Sequence, residues 1–219
     1  MSFSSLKKET LETRVYQELR TAIVKRRLAN GERLIQDVLA TQFGTSRIPV
    51  RDALKRLETE GLVKLDERGS YMVSIFGSAD LEEVYGLRMI LEPYAAGKAM
   101  ERMTASDFEE LAGIEQELRE MADQQDIERY VHLNQAYHMT LYEFSQQRRL
   151  SAMIKSLWLG LAPLTPIAVP GQLERSVNEH AHLLQALREK QPAVVENLLR
   201  THIQHAKVAL QAHLETMES

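Results

Sequence analysis

Residues 31–56 read GERLIQDVLATQFGTSRIPVRDALKR, and this stretch decides the fold. Apolar residues at helical spacing predict a short helix that Gly44 ends, followed by a turn and a second helix. Ser46 is a suitable N-cap for the second helix, and Arg47 and Arg51 lie one turn apart on it. A helix N-terminus that bears arginine is suited to contacts with phosphates and guanine edges in the major groove. The stretch therefore indicates DNA binding rather than catalysis.

The flanking residues predict the other elements of a winged helix-turn-helix. A helical apolar stripe over residues 10–27 predicts a preceding helix, which Gly31 closes. Two strand-like runs, residues 62–65 and 71–75, flank a polar turn that contains Gly69, so a β-hairpin is expected. Three helices and a hairpin fit the winged motif, although a generic helical core with a solvated hairpin would have the same pattern.

Composition and charge divide the chain into two parts. The chain has 219 residues, no cysteine and a net charge of −4. Residues 1–76 hold 14 Lys+Arg and 10 Asp+Glu, which is +4, and the other residues hold 13 and 21, which is −8. A basic first third and an acidic remainder predict two modules with different partners. Without a membrane-length apolar run or a secretory leader pattern, we expect a cytoplasmic protein.

The second part of the chain has helical periodicity throughout. A short linker is expected at residues 74–79, and few prolines or glycines interrupt the rest. The predicted helices cover residues 80–103, 105–122, 126–146, 148–160, 174–190 and 192–217. Short connections between helices favour an antiparallel bundle. The predicted domains are a DNA-binding domain over residues 8–76 and a ligand-binding and dimerisation domain over residues 80–215.

Longer motifs resemble a known family of bacterial regulators. GERLIQDVLATQFGTSRIPVRDALKRLETEGLV, followed by RGSYMV, resembles the GntR family of transcription regulators. The rest resembles the FadR-like subfamily and its helical FCD domain through RMILEPYAAGKA at 88–99, NQAYHMTLYEFS at 134–145 and EHAHLLQALREKQPAVVENLLRTHI at 179–203. The resemblance covers residues 10 to 210, approximately. It implies a mainly α fold, with an N-terminal winged helix-turn-helix and a C-terminal antiparallel bundle of six helices.

The resemblance also implies how DNA is bound. Members of the family act as homodimers in which each winged domain contacts one half of a palindromic operator. The matching positions lie at the start of the recognition helix and at the wing tip, namely Ser46, Arg47, Arg51, Arg68, Gly69 and Ser70. Some relatives have a further DNA-contacting arginine early in the second helix, where this chain has Asp37. No side-chain contact is therefore expected from that helix.

A divalent metal site is a further implication of the resemblance. Many FCD domains bind a metal through Asp-x-x-x-His on one helix and two histidines on later helices. His138, His180 and His202 match these histidines, and Asn134 stands at the aspartate position. Three imidazoles suit Zn²⁺ or Ni²⁺, while a neutral amide compensates less of the metal charge than a carboxylate would. Glu179 is adjacent to His180 in sequence and is expected to point away from the site.

Arg88 matches a family arginine that faces the same cavity and could bind the carboxylate of a small organic acid effector. The other interpretation of Arg88 is a surface ion pair with Glu92, four residues later. Tyr85, Tyr137 and Tyr142 could line the cavity or belong to the core. The favoured function is a ligand-responsive transcription regulator, and repression is the commoner outcome in the family. The alternatives are a metal-dependent hydrolase and a DNA-binding dimer with a vestigial pocket.

Overall fold

The computed structural model describes residues 10–24, 27–74, 78–158 and 171–218. Within these ranges the chain is mainly helical and divides into two compact units, residues 1–75 and 76–219. Residues 75–77 of the predicted linker lie outside the described residues, as do residues 25–26 of the first predicted helix and the last two residues of the helix predicted over 148–160. Among the described helices, none has the length and apolar content needed to cross a membrane.

Three helices form the first unit, as the apolar spacing predicts. They are α1 (Leu11–Val24), α2 (Gln36–Gln42) and α3 (Arg47–Thr59). Val50, Ala53, Leu54 and Leu57 lie on the inner face of α3, and all four are fully buried. This spacing of three and four residues puts them on one side of the helix. The described part of α1 ends at Val24, residues 25–26 lie outside the described residues, and Gly31 follows in a turn with φ +74°.

The apolar stripe that we predicted for α2 is only partly correct. Leu39 is buried, but Ile35 and Val38 are about half exposed. Ile35 is the N-cap residue of α2 and has an extended backbone, so it does not follow the helical period. Gly44 lies just after the end of α2 with φ +61°, a left-handed conformation that glycine adopts without a steric cost.

The β-structure has three strands rather than the expected two. The hairpin strands are β2 (Val63–Leu65) and β3 (Tyr71–Val73), and β1 (Arg33–Leu34) is an additional short strand. All pairings are antiparallel in the order β1-β3-β2, so β3 lies at the centre. The sequence signal for β1 was missed because two residues are too short to show an alternating pattern. The extra strand fixes the base of the wing to the segment that leads into α2.

The second unit contains six described helices. They are α4 (Ser78–Met100), α5 (Ala105–Asp123), α6 (Ile127–Glu143), α7 (Arg148–Leu157), α8 (Gln172–Arg188) and α9 (Pro192–Glu218). The order and type of these helices confirm the prediction, with small differences at their ends. Thr104 begins α5 with a capping box, in which its hydroxyl accepts from the Asp107 N–H and Asp107 accepts from the Thr104 N–H. One apolar core takes residues from all six helices, a separate smaller cluster joins α4 and α9, and α4 packs along α9.

Candidate functional site

The predicted recognition-helix residues lie together on an exposed surface of the first unit. Ser46, Arg47 and Arg51 are all exposed at the start of α3. Ser46 has the backbone of an N-cap, but its hydroxyl makes no capping hydrogen bond, so the predicted cap is only half realised. The Arg47 Nε lies 3.0 Å from Asp37 Oδ1 on α2, and the Arg51 Nε lies 3.4 Å from Asp52 Oδ1. Exposed pairs of this kind contribute little free energy, so a phosphate can replace the carboxylate at small cost.

The wing tip is a tight turn organised by one carboxylate. The Asp66 Oδ1 accepts hydrogen bonds from the backbone N–H groups of Arg68 and Ser70, at 2.9 and 2.8 Å. These bonds lower the pKa of Asp66, the hydrogen bond from Ser70 most, although partial desolvation opposes them. Gly69 has φ +74°, which suits the turn, and Arg33 on β1 pairs with Asp66 Oδ2 at 3.0 Å. The Arg68 side chain is exposed at the tip of this ordered turn.

In the second unit, three histidines from three helices converge in the interior. His138 on α6, His180 on α8 and His202 on α9 are all buried, and their candidate ligand atoms lie within 4.8 Å of one another. The Nε2 atoms of His138 and His180 are 3.1 Å apart. Three converging imidazole nitrogens suit a tetrahedral Zn²⁺ or a Ni²⁺ ion. The structure thus brings together the three histidines that the sequence singled out.

Asn134 lies one turn before His138 on α6 and is also buried. Its carbonyl oxygen Oδ1 has no hydrogen-bond partner. A buried acceptor without a partner costs free energy, typically about 1–3 kcal/mol, and a bound cation would remove that cost. Because of its position and its Oδ1 atom without a hydrogen-bond partner, Asn134 fits the role of a fourth ligand. The donor set therefore fits a metal. The amide oxygen is neutral, which leaves the charge of the ion uncompensated by this ligand.

Burial disfavours the charged forms of His138 and His180. Desolvation, followed by the charges of His180, His202 and Arg88, holds the pKa of His138 well below its usual value. Desolvation and the nearby His202 likewise lower the pKa of His180. Neutral imidazole is the form that binds a metal, because protonation would occupy the ligand lone pair.

Glu179 is part of this site, and the prediction that it points away was wrong. Its Oε2 lies 2.6 Å from His202 Nδ1, and its Oε1 lies 2.6 Å from His205 Nδ1. Neighbouring residues on a helix point about 100° apart. Because the cluster lies between α6, α8 and α9, His180 can face His138 while Glu179 faces His202. His205 shares this carboxylate.

Arg88 and Glu92 on α4 form an ion pair, but it is buried rather than at the surface as expected. The Arg88 Nε lies 2.6 Å from Glu92 Oε1, with side-chain exposures of 3% and 0%. Glu92 also accepts hydrogen bonds from Trp158 Nε1 at 2.8 Å and from the Tyr142 hydroxyl at 2.5 Å. The Trp158 ring contacts both the Arg88 guanidinium and the His138 ring, with centroid distances of 4.3 and 4.9 Å. Sequence spacing gave no sign of Trp158, because it follows the end of α7.

Both units match known domain families. Residues 11–73 match the bacterial regulatory proteins of the gntR family, and residues 83–205 match the FCD domain. The chain therefore belongs to the GntR family of transcription regulators and has the FCD domain of the FadR-like subfamily. The matching domains and the relatives are those of regulators, so the hydrolase alternative is unsupported.

Similar proteins match this chain over most of its length, in sequence and in structure. The HTH-type transcriptional regulator YdhC of Bacillus subtilis is 27% identical over 197 residues, which cover 87% of this chain and 86% of that protein. McbR of Escherichia coli is 29% identical over 189 residues, or 84% and 86% of the two chains. The solved structure of E. coli McbR/YncC has a TM-score of 0.69 at 27% identity, covering 94% of this chain and 99% of that one.

The buried ion pair leads to a test of stability. We expect Glu92→Ala to lower the free energy of unfolding of metal-free protein by about 3–5 kcal/mol, because Arg88 is left buried without its counter-charge. The double variant Arg88→Met/Glu92→Leu removes both charges and should recover part of this loss. Urea denaturation of the full chain, followed by circular dichroism, measures both effects. Wild-type stability of Glu92→Ala would contradict the assignment.

Proposed function

We propose that this regulator binds a palindromic operator as a homodimer and that its helical domain senses a small organic acid through a bound metal. In this division of labour, residues 8–76 bind DNA and residues 80–215 form the sensor and dimerisation domain. The exposed arginines on α3 support the first part, and the converging histidines support the second. Relatives include the gluconate operon transcriptional repressor of Bacillus subtilis, 26% identical over 73% of this chain, which favours repression.

We infer that the DNA-reading surface consists of the start of α3 and the wing tip. Ser46, Arg47 and Arg51 are exposed at the helix N-terminus, where the helix dipole favours a phosphate. The ordered backbone around Gly69 and Ser70 presents Arg68 for contact with the adjacent groove. On α2 the side chain beside Arg47 is the anionic Asp37, so we assign no DNA-contacting cation to that helix.

Arg47→Ala and Arg51→Ala should each weaken operator binding by about 1–3 kcal/mol if the guanidinium contacts a base. The binding sites can be selected from random double-stranded DNA with the full-length protein. Fluorescence anisotropy at several salt concentrations then gives affinity and its salt dependence. Arg129→Ala, at an exposed arginine on α6 of the helical unit, is the control and should bind normally. Unchanged affinity in both α3 variants would refute the proposed surface.

The proposed metal site combines His138, His180 and His202 with the Asn134 carbonyl oxygen. A Zn²⁺ or Ni²⁺ ion held there would supply open coordination positions for an effector carboxylate. Arg88 is close enough to the cluster to affect His138, but Glu92 already neutralises it. The metal is therefore the main anchor in our proposal, and Arg88 contributes only by sharing its charge between Glu92 and the effector.

Purified wild-type protein should bind Zn²⁺ in competition with a chromophoric chelator, and His138→Ala should lose that binding. His132→Ala, at an exposed histidine on the same helix, should bind like wild type. Asn134→Asp should bind more tightly, because a carboxylate offsets part of the metal charge. Carboxylic acids should raise the thermal midpoint of the zinc-loaded wild type but not of His138→Ala. Zinc affinity unaffected by His138→Ala would exclude this site.

A stripe of exposed apolar residues on α4 supports the dimer proposal. Leu87, Ile90 and Tyr94 are 41%, 60% and 53% exposed, and their spacing puts them on one helix face. A contiguous apolar stripe is a typical protein interaction surface. Effector binding to the opposite, Arg88-bearing face of α4 could then shift the population between two arrangements of the dimer. Recognition helices at the wrong separation would no longer match half-sites about one DNA turn apart.

Ile90→Asp should convert the dimer to a monomer, because the interface would bury an unpaired carboxylate. Light scattering after size-exclusion chromatography gives the molar mass. Met153→Asp is the matched control, since Met153 on α7 is similarly exposed at 56% and lies off the stripe. If Ile90→Asp stays dimeric at micromolar concentration, the dimer forms through another face.

A further inference from the structure

We propose that two carboxylates, Glu92 and Glu179, fix His138 and His202 in the tautomer that presents an unprotonated Nε2 to the metal. Glu179 acts directly on His202, and Glu92 acts through the Tyr142 hydroxyl on His138. Both carboxylates and Tyr142 are positioning residues, because none of them needs to touch the ion. The inference rests on the proposed metal site and assigns tasks to groups outside the ligand set.

The chain of hydrogen bonds begins at the Arg88–Glu92 ion pair. The guanidinium is always charged, and its Nε donates to the buried Glu92 carboxylate at 2.6 Å. An ionised carboxylate has no proton to donate, so Glu92 can only accept. Its Oε1 accepts from Trp158, and its Oε2 accepts from the Tyr142 hydroxyl. The single hydroxyl proton of Tyr142 is therefore used in the hydrogen bond to Glu92.

The Tyr142–Glu92 hydrogen bond determines the tautomer of His138. Its Nδ1 lies 3.2 Å from the Tyr142 oxygen, which has no proton left for it. The bond forms only if His138 Nδ1–H donates and the Tyr142 oxygen accepts. A neutral imidazole, the form that can bind a metal, has one N–H. Its Nε2 therefore has a free lone pair, and that atom faces the other histidines.

Glu179 fixes the tautomer of His202 directly, with no residue between them. The two Glu179 oxygens lie against the Nδ1 atoms of His202 and His205, and a carboxylate oxygen at each position can only accept. Each carboxylate oxygen accepts a hydrogen bond from the Nδ1–H of one ring, at 2.6 Å. His202 thus keeps Nε2 for the metal, and His205 holds the second carboxylate oxygen in place. Carboxylate–histidine–metal arrangements of this type orient ligands and increase their basicity.

His180 has the opposite tautomer in the metal-free protein. Its Nε2 is 3.1 Å from the unprotonated Nε2 of His138, so His180 Nε2–H must be the donor. The buried Nδ1 of His180 is then a bare acceptor, and it has no hydrogen-bond partner. Metal binding requires the Nε2 lone pair, so the proton must leave Nε2 while Nδ1 takes one up. One ring of the three changes tautomer, and the net proton count stays the same.

Histidine tautomers can be measured directly in the full-length protein by long-range ¹H–¹⁵N correlation, with resonances assigned by single substitutions. In chelator-treated protein, we expect Nδ1–H on His138 and His202 and Nε2–H on His180. Tyr142→Phe should remove the Nδ1–H preference of His138 while His202 keeps its own. Zn²⁺ should move the His180 proton to Nδ1. An Nε2–H tautomer of His138 in metal-free wild type would overturn the inference.

Metal affinity provides the second measurement, by competition of Zn²⁺ with a chelator. Tyr142→Phe and Glu179→Gln should each weaken binding on the order of 10–100-fold. Glu179→Gln keeps the size but has one carbonyl oxygen for two Nδ1–H donors. Tyr137→Phe is the matched control, because the Tyr137 hydroxyl donates to the His180 backbone carbonyl and not to a ring. Its zinc affinity should stay near that of wild type.

The possible outcomes separate this inference from the proposed function. If wild type binds Zn²⁺ and both positioning variants bind it equally well, the metal site stands and the positioning roles are refuted. If wild type binds no Zn²⁺, the proposed metal function fails together with the inference. Thermal midpoints of the metal-free variants are measured alongside, and a loss of affinity at a wild-type midpoint supports positioning rather than misfolding.

Discussion

The buried Arg88–Glu92 ion pair is the constraint on which the rest of the helical unit depends. Two charges removed from water are tolerated only if every remaining donor and acceptor position is filled. Glu92 meets this requirement with Trp158 and Tyr142, which come from two other helical segments. The ion pair therefore fixes how α4, α6 and the end of α7 pack against one another. It also fixes the ring of His138, because Tyr142 is bonded to both.

The histidine cluster is consequently a point where five helical segments meet. Each contributes a polar group: Arg88 and Glu92 from α4, Asn134, His138 and Tyr142 from α6, Trp158 after α7, Glu179 and His180 from α8, and His202 from α9. An ion or ligand that moves any one imidazole would disturb hydrogen bonds to several helices. A site of this kind is well suited to coupling, because packed interiors change between discrete arrangements rather than deforming gradually.

The winged unit differs from the helical unit, because the side chains that we propose for DNA binding face solvent. Its arginines have nearby carboxylates, Asp37 for Arg47 and Asp52 for Arg51, that contribute little stability at an exposed surface. Such pairs orient the guanidiniums, but they are weak enough for a phosphate to take the place of the carboxylate. The wing is ordered by Asp66 through backbone hydrogen bonds, so the loop does not need a core of its own.

The sequence by itself determined where the helices of both units and the hairpin lie, because these depend on the local period of apolar residues. It also identified the three histidines and the exposed arginines as candidate site residues, because these depend on motif spacing. It could not determine the strand β1, the burial of the Arg88–Glu92 pair, or the direction of Glu179. Each of these depends on which helix or strand lies opposite, and residues far apart in the chain decide that. Adjacent residues such as Glu179 and His180 can both face one cluster when it lies between three helices. Only the tertiary structure fixes that geometry.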